Sequence, residues 1–205
     1  MREARLTLAQ SFMAIQQPSA ALVQIKKIWK QREEKLPAEL LLASEAAISL
    51  SLLQEAKSYI YELLELLGPL AKNTPTESET SSPEQFNIAN MQDRAIELEL
   101  SLLYLEGNYS QLYEKTNLFL LEQPDNSRVR TLLAHALYNL GRYEAAAIEY
   151  EQLAEQAQKN DRTTEQGLLF KNAAQAYENS GNTEKALELW LNAGNAFLNT
   201  EEYME

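Results

Sequence analysis

The stretch "NLGRYEAAAIEY", residues 139–150, places Gly141 between two segments whose apolar residues have helical spacing. Tyr143 follows the glycine by two positions, and Ala146 and Tyr150 continue at helical intervals. A glycine here predicts that one helix ends in a left-handed backbone conformation and that a second helix begins at once. One such stretch is common by chance, so its recurrence decides whether it defines an architecture.

The pattern recurs around Gly107 and Gly181, which lie 34 residues before and 40 residues after Gly141. Two antiparallel helices cross closely only where small side chains meet, so a small residue is expected on each helix of a pair. The spacing predicts these crossings at Ala134 with Ala146 and at Ala174 with Ala186. The wider second interval predicts longer helices or a longer loop after residue 150.

This pattern of small and aromatic positions around a turn glycine, with its 34-residue period, resembles the tetratricopeptide repeat family. The Gly107 repeat has that family's terminal proline, Pro124, and lacks its small positions. The resemblance implies an all-α fold, a right-handed α-solenoid of antiparallel helix pairs. It also implies a scaffold or adaptor that binds a protein or peptide on a concave face.

A fainter form of the repeat occupies the first third of the chain, without its turn glycine. Gln16-Gln17-Pro18 and Ser51-Leu52-Leu53 stand at the two turns, and Ala21 and Ala56 are separated by 35 residues. The predicted layout has two divergent helix pairs in 1–71, an insertion in 72–92, three helix pairs in 93–199, and the start of a further repeat or cap in 200–205. The insertion is expected to be mobile because 72–85 has no aliphatic residue to bury. Its alternatives are a tolerated surface loop and a segment controlled by phosphorylation.

Composition and motif content exclude several classes of function. The net charge of −12 argues against nucleic-acid binding, and the absence of cysteine excludes thiolate chemistry. The one histidine, His135, lies in the core-like run "LLAHALY", and no phosphate-binding, hydrolase or zinc-protease motif occurs. We therefore expect no enzyme activity, cofactor or metal. Because no stretch approaches the roughly 18 apolar residues of a spanning helix, we expect no membrane insertion and a cytoplasmic location.

The remaining expectation is a binding module that uses the first helix of each pair. Amide, cationic and aromatic side chains suit an extended peptide or a partner helix, because they satisfy backbone groups and carboxylates and provide contact area. The predicted site residues are Arg94, Tyr104, Arg128, His135, Tyr138, Asn139, Lys171 and Gln175. Two alternatives stay open: a structural subunit that uses convex or end surfaces, and a helical-repeat RNA reader, which the acidic charge disfavours.

The two ends of the sequence differ in charge. Residues 1–35 carry seven Lys or Arg against three Glu, a net charge of +4, whereas residues 36–205 carry eleven against twenty-seven acids, a net charge of −16. The apolar positions of "NAGNAFLNTEEYME" suggest an edge covered by more of a longer protein or by another chain. Self-association of the terminal repeats, head to tail, is one way to cover it; the alternative is that both ends are solvated.

Overall fold

A computed structural model describes residues 1–31, 34–68 and 83–202 of the chain, without the side chains of 83–87 and 200–202. Within these ranges the chain forms ten α-helices and no strand, which confirms the predicted all-α fold of helix pairs. The helices are α1 Arg2–Ala14, α2 Pro18–Trp29, α3 Pro37–Ser49, α4 Leu53–Leu67, α5 Pro83–Leu105, α6 Tyr109–Glu122, α7 Ser127–Asn139, α8 Tyr143–Lys159, α9 Thr163–Asn179 and α10 Thr183–Glu202.

The helices form two compact units, Met1–Glu106 and Gly107–Glu205. In unit 1, α1 packs on α2 and α3 on α4, while α5 packs on both α3 and α4. In unit 2, α7 packs on α6 and α8, and α9 packs on α8 and α10. Each helix therefore packs mainly on its neighbours in the sequence, as in repeat proteins.

The turn within each pair has a left-handed residue, as the sequence predicts. The backbone φ is 74° at Gly107, 75° at Gly141 and 85° at Gly181. Gln16 and Ser51 have φ of 56° and 57°, so the turns without glycine have the same geometry. After Gly141 the amide of Arg142 donates to the carbonyl of Leu137 (2.9 Å), the closing hydrogen bond of a Schellman turn.

The predicted crossing positions are buried in both units. We call the left-handed residue within each pair (Gln16, Ser51, Gly107, Gly141 or Gly181) its turn residue. The side chains seven residues before each turn residue and five residues after it are almost completely inaccessible to solvent. The residues are Ala9 and Ala21, Ser44 and Ala56, Leu100 and Leu112, Ala134 and Ala146, and Ala174 and Ala186. Each hydroxyl among the buried residues needs a partner, and the Ser44 hydroxyl donates to the Leu40 carbonyl at 2.8 Å.

Longer helices account for the 40-residue interval between Gly141 and Gly181. α8 and α9 have 17 residues each, whereas α6 has 14 and α7 has 13. A left-handed residue that the sequence analysis did not mark, Asp161 with φ of 56°, forms the turn between α8 and α9. Aspartate tolerates this conformation better than most residues with a Cβ.

The predicted insertion, 72–92, lies only partly within the described residues. Its first part falls in 69–82, outside them, whereas α5 begins at Pro83, well inside the predicted insertion. Proline favours this position because its fixed φ suits the first turn of a helix, where its missing N–H would have no partner. The start of the following helical region therefore differs from the expected residue 93.

A buried carboxylate joins α1 to α3 in unit 1. Glu39 is inaccessible to solvent and accepts hydrogen bonds from the Arg2 guanidinium, the Trp29 indole N–H (3.1 Å) and the Leu36 backbone N–H (3.2 Å). Burial by itself raises the pKa of Glu39, but the three donors more than offset it and lower the pKa below its usual value. Glu39 thus stays ionised, and its contribution to stability is lost as the pH falls through that lowered pKa.

The first prediction concerns the crossing at Ala146. Replacing Ala146 with leucine should lower the free energy of unfolding by about 1–3 kcal/mol, because the larger side chain overpacks the contact between α7 and α8. Ala145→Leu is the matched control, since Ala145 is exposed one position away on the same helix. Urea denaturation of both variants measures the difference. Equal stability of the two variants would contradict the proposed crossing.

The second prediction compares two helical glycines. A Cβ at Gly167 would lie 2.7 Å from Cε1 of Phe197 on α10, whereas a Cβ at Gly194 has no neighbour within 4 Å. Alanine favours a helix over glycine by about 1 kcal/mol, so Gly194→Ala should stabilise the chain. Gly167→Ala should instead destabilise it, because the Phe197 ring must move. Thermal unfolding in which Gly167→Ala raises Tm as much as Gly194→Ala does would show that α9 and α10 do not approach this closely.

Candidate functional site

The predicted site residues lie on the first helix of three pairs and are divided between the two units. Arg94 and Tyr104 belong to α5 of unit 1. The other six lie on α7 and α9 of unit 2, where they form what we call the unit 2 face. The unit 2 face comprises Arg128, His135, Tyr138 and Asn139 on α7, and Lys171 and Gln175 on α9.

A hydrogen bond joins the two helices of the unit 2 face. The Asn179 side-chain amide on α9 donates to the Tyr138 hydroxyl on α7 at 2.8 Å. The Tyr138 ring also packs edge-on against Tyr143, with 5.3 Å between ring centroids. These contacts orient a half-buried tyrosine, whose hydroxyl can still donate a hydrogen bond to a bound partner.

His135 lies deeper than the other members of the unit 2 face. Its Nδ1 is hydrogen-bonded to the Tyr150 hydroxyl of α8, and the two rings pack edge-on with 5.5 Å between centroids. Burial lowers the pKa of His135 below its usual 6.5, so the imidazole is neutral at pH 7. The sequence prediction of a core-like setting therefore describes His135 better than its assignment to the exposed binding surface.

The exposed members of the face provide cationic and amide groups. Arg128 and Lys171 are exposed on α7 and α9, respectively, and Gln175 is exposed one turn after Lys171. Asn139 is also exposed, and its amide donates to the His135 carbonyl at 2.8 Å while its oxygen remains available as an acceptor. The unit 2 face can thus offer both charge and hydrogen bonds to a partner.

In unit 1, Arg94 already has carboxylate partners. Its guanidinium contacts Glu45 of α3 at 2.9 Å and Glu97 of its own helix at 2.8 Å. Tyr104 is half-buried near the end of α5. Arg94 therefore joins α3 to α5, and nothing in its described contacts requires a ligand.

Two residues beside the unit 2 face are not among the predicted site residues. Asn179, whose amide orients Tyr138, shares its repeat position with Asn139, and repeat spacing places it on the same side of the first helices. Leu168 is an exposed apolar side chain one turn before Lys171 on α9. Leu168 has the same repeat position as Arg128, because each lies 13 residues before its turn glycine, and this equivalence could have identified Leu168.

Two properties of the described residues bear on the class of site. No group of His, Asp and Glu side chains in those residues could hold a metal ion. None of the described helices combines the length and the apolar character needed to cross a membrane.

Comparison with known families agrees with this geometry. The sequence profile of the tetratricopeptide repeat family matches residues 111–163, from within α6 through α7 and α8 to the first residue of α9. A search of curated proteins found no match to the chain.

Several solved structures are similar over nearly the whole chain. MamA from Desulfovibrio magneticus RS-1 has 14% sequence identity and a TM-score of 0.65, with 97% of this chain and 96% of that chain covered. TPR-like repeats from Podosopora anserina have 16% identity and a TM-score of 0.61, with 98% and 96% covered. A thermophilic TPR protein of Thermus thermophilus has 15% identity and a TM-score of 0.52, with 97% and 100% covered.

At these low identities the structural likeness shows the fold, a series of paired α-helices of the solenoid type. The family profile, the left-handed turns and the buried crossing residues identify the repeat itself. Residues 111–163 therefore match the tetratricopeptide repeat family that the residue pattern resembles, and the described helices have the paired all-α fold of such repeats. Proteins built from these repeats generally act as scaffolds that bind other proteins.

The third prediction uses the single histidine as a probe of the unit 2 face. A proton NMR titration should give one imidazole resonance with a midpoint below pH 6.5, because burial disfavours the charged ring. His135 therefore contributes stability that is present above pH 6.5 and lost as the pH falls through the lower folded-state pKa. In Tyr150→Phe the midpoint should remain below 6.5, since burial is the cause. A midpoint at or above 6.5 in the unmodified protein would place His135 in solvent.

Proposed function

We propose that this protein is an interaction scaffold or adaptor that binds an extended peptide or a partner helix on the unit 2 face. The observation that carries the proposal is the oriented Tyr138, which Asn179 holds from the neighbouring helix while its ring stays partly accessible. A tyrosine held in this way provides contact area at a low entropic cost. The proposal assigns no catalytic step and no cofactor to the chain, and a cytoplasmic location stays a prediction.

Chemistry at this face favours a partner with exposed backbone groups and carboxylates. Gln175 and Asn139 can exchange hydrogen bonds with the amides of an extended strand or the end of a helix. Arg128 and Lys171 place one cation on each of the two helices and suit acidic side chains or a terminal carboxylate. Leu168 adds an exposed apolar contact beside them.

A second candidate function is that of a structural subunit that binds through an outer surface. Leu118 and Leu121 on α6 are 66% and 80% exposed and lie three residues apart on one side of the helix. Such a pair provides an apolar contact away from α7 and α9. This function would use α6 and leave the unit 2 face free.

The fourth prediction separates the two candidates. Peptides selected from a random library on the native protein should bind the Arg128→Ala, Tyr138→Ala and Lys171→Ala variants at least about tenfold more weakly, a loss of about 1.4 kcal/mol each. Lys159→Ala is the matched control for Lys171→Ala, because Lys159 is an exposed lysine at the end of α8. Isothermal titration measures affinity, and circular dichroism checks that helicity is preserved.

Unchanged affinity of all three variants would move the site away from the unit 2 face. If Leu118→Ala and Leu121→Ala then weakened binding, the outer surface of α6 would be the binding site. Filter binding of single-stranded RNA at low salt should give no complex, because the chain is strongly acidic.

A further inference from the structure

Two different stripes of the first helix α9 are buried, and they serve different contacts. On α9 the stripe that includes Gly167 faces α10, as the close approach of the Phe197 ring shows. A second stripe, 12, 8 and 5 residues before the turn residue, consists of Leu169, Ala173 and Ala176 and is also buried. Since α9 packs mainly on α8 and α10 in the described structure, this second buried stripe faces α8. We call these three positions the entry stripe.

The entry stripe is buried in every described first helix that follows another pair. On α3, α5, α7 and α9 this stripe faces α2, α4, α6 and α8, respectively, and each of its side chains is less than 9% accessible to solvent. The residues are Glu39, Ala43 and Ala46 on α3, Ala95, Glu99 and Leu102 on α5, Val129, Leu133 and Ala136 on α7, and Leu169, Ala173 and Ala176 on α9.

On α1 the entry stripe is exposed. Its residues are Ala4, Leu8 and Ser11, and Leu8 is 43% accessible. The stripe of α1 that faces its own partner α2 is covered, because Ala9 is fully buried. The small and apolar types on α1 match those that α9 buries against α8. α1 therefore presents a contact surface of the same kind as the entry stripe of α9.

The complementary surface lies on the second helix of each pair, 6, 9 and 13 residues after the turn residue; we call it the exit stripe. In α2, α4, α6 and α8 all its positions are buried or half-buried, with accessibilities of 3% or less at the middle position. The residues are Leu22, Ile25 and Trp29 on α2, Lys57, Ile60 and Leu64 on α4, Tyr113, Thr116 and Leu120 on α6, and Ala147, Tyr150 and Ala154 on α8.

On α10 the exit stripe is uncovered. Leu187 is 64% exposed, Trp190 is 39% exposed, and Gly194 is also exposed. An exposed leucine beside an exposed tryptophan is an apolar patch of the kind that marks contact sites. In α8 the equivalent residues are covered by α9. Among the described residues, no helix covers this stripe of α10.

We infer that a second copy of this chain covers α10, with the entry stripe of its α1 on the exit stripe of α10. The contact repeats the packing of α9 on α8 between two molecules, so it is head to tail. Small Ala4 and Ser11 on α1 complement bulky Leu187 and Trp190 on α10. This inference concerns the ends of the chain and is independent of the unit 2 face.

A second set of positions supports the same pairing. Two ion pairs join successive second helices, one in each unit, and each runs from ten residues after one turn residue to four residues after the next. Lys26 pairs with Glu55 at 2.6 Å in unit 1, and Glu151 pairs with Lys185 at 3.6 Å in unit 2.

At the proposed junction the equivalent positions are Leu191 of one copy and Ala20 of the other. Both residues are apolar, whereas the α6 to α8 step has Asn117 and Ala145 at these positions, and Leu191 is 63% exposed. Two apolar residues at these positions suit a dry contact between copies.

Net charge also favours this partner. Residues 1–35 have a net charge of +4, from seven basic and three acidic residues. Residues 184–205 have a net charge of −4, from five acidic residues and Lys185. Opposite charges at the two ends attract one copy to another, with a strength that falls as salt increases.

Sedimentation velocity tests the contact. The unmodified chain should form dimers and longer oligomers as its concentration rises to about 100 μM, above the micromolar dissociation constants of many interfaces of ordinary size. Leu8→Glu and Leu187→Glu should each raise the dissociation constant at least about tenfold, because each buries an unpaired carboxylate in the contact. Leu66→Glu is the matched control, since Leu66 is an exposed leucine on α4 outside both stripes.

Mixing two variants tests whether α1 of one copy binds α10 of another. Leu8→Glu keeps a native α10 and Leu187→Glu keeps a native α1, so an equimolar mixture should form one-to-one dimers that do not grow. Leu191→Glu mixed with Ala20→Lys should likewise associate, because the pair reproduces Glu151 with Lys185.

A chain that stays monomeric at about 100 μM in low salt would overturn the inference and leave both stripes to other partners. Association that Leu8→Glu or Leu187→Glu leaves unchanged, or a mixture of these two variants that remains monomeric, would also overturn it.

Discussion

The close crossing of two helices at small side chains is the constraint on which the rest of this structure depends. Ala134 of α7 and Ala146 of α8 are fully buried in one core cluster, together with Tyr150 and Leu153. Neither helix of a pair can bury its whole apolar surface alone, so each pair needs the next one. The stripes that stack successive pairs, and the exposed sides of the first helices, follow from this single geometry.

Much of this architecture could be predicted from the sequence, because the repeated positions carry strict physical requirements. The left-handed turn is marked by glycine in three pairs, and Gln16 and Ser51 were found by spacing alone, although neither residue type favours that conformation. The turn at Asp161 was not found, since no glycine marks it and longer helices displace it from the regular period. The start of α5 at Pro83 was also missed, because the polar residues around it resemble those of a loop.

The candidate site was less predictable, because its properties depend on contacts between helices. Repeat spacing correctly placed Arg128, Lys171 and Gln175 in solvent, as expected for positions away from a crossing. Spacing could not show that Arg94 is held by Glu45, or that Tyr150 approaches His135 from α8. Nor could it show that Asn179 reaches Tyr138, since 41 residues separate them in the chain. Exposure follows from periodicity, whereas pairing between side chains requires the packed helices.

The close crossing can be tested directly by disulfide formation, because the natural chain contains no cysteine. A disulfide forms without backbone movement only where two Cα atoms lie within about 7 Å. Cysteines introduced as Ala134→Cys with Ala146→Cys should therefore oxidise readily in the folded protein. The pair Ala134→Cys with Ala145→Cys, whose second residue is exposed on the adjacent position of α8, should remain reduced. Thiol titration after mild oxidation gives the answer, and equal oxidation of the two pairs, or none in the first, would contradict the crossing that this account places at the centre of the fold.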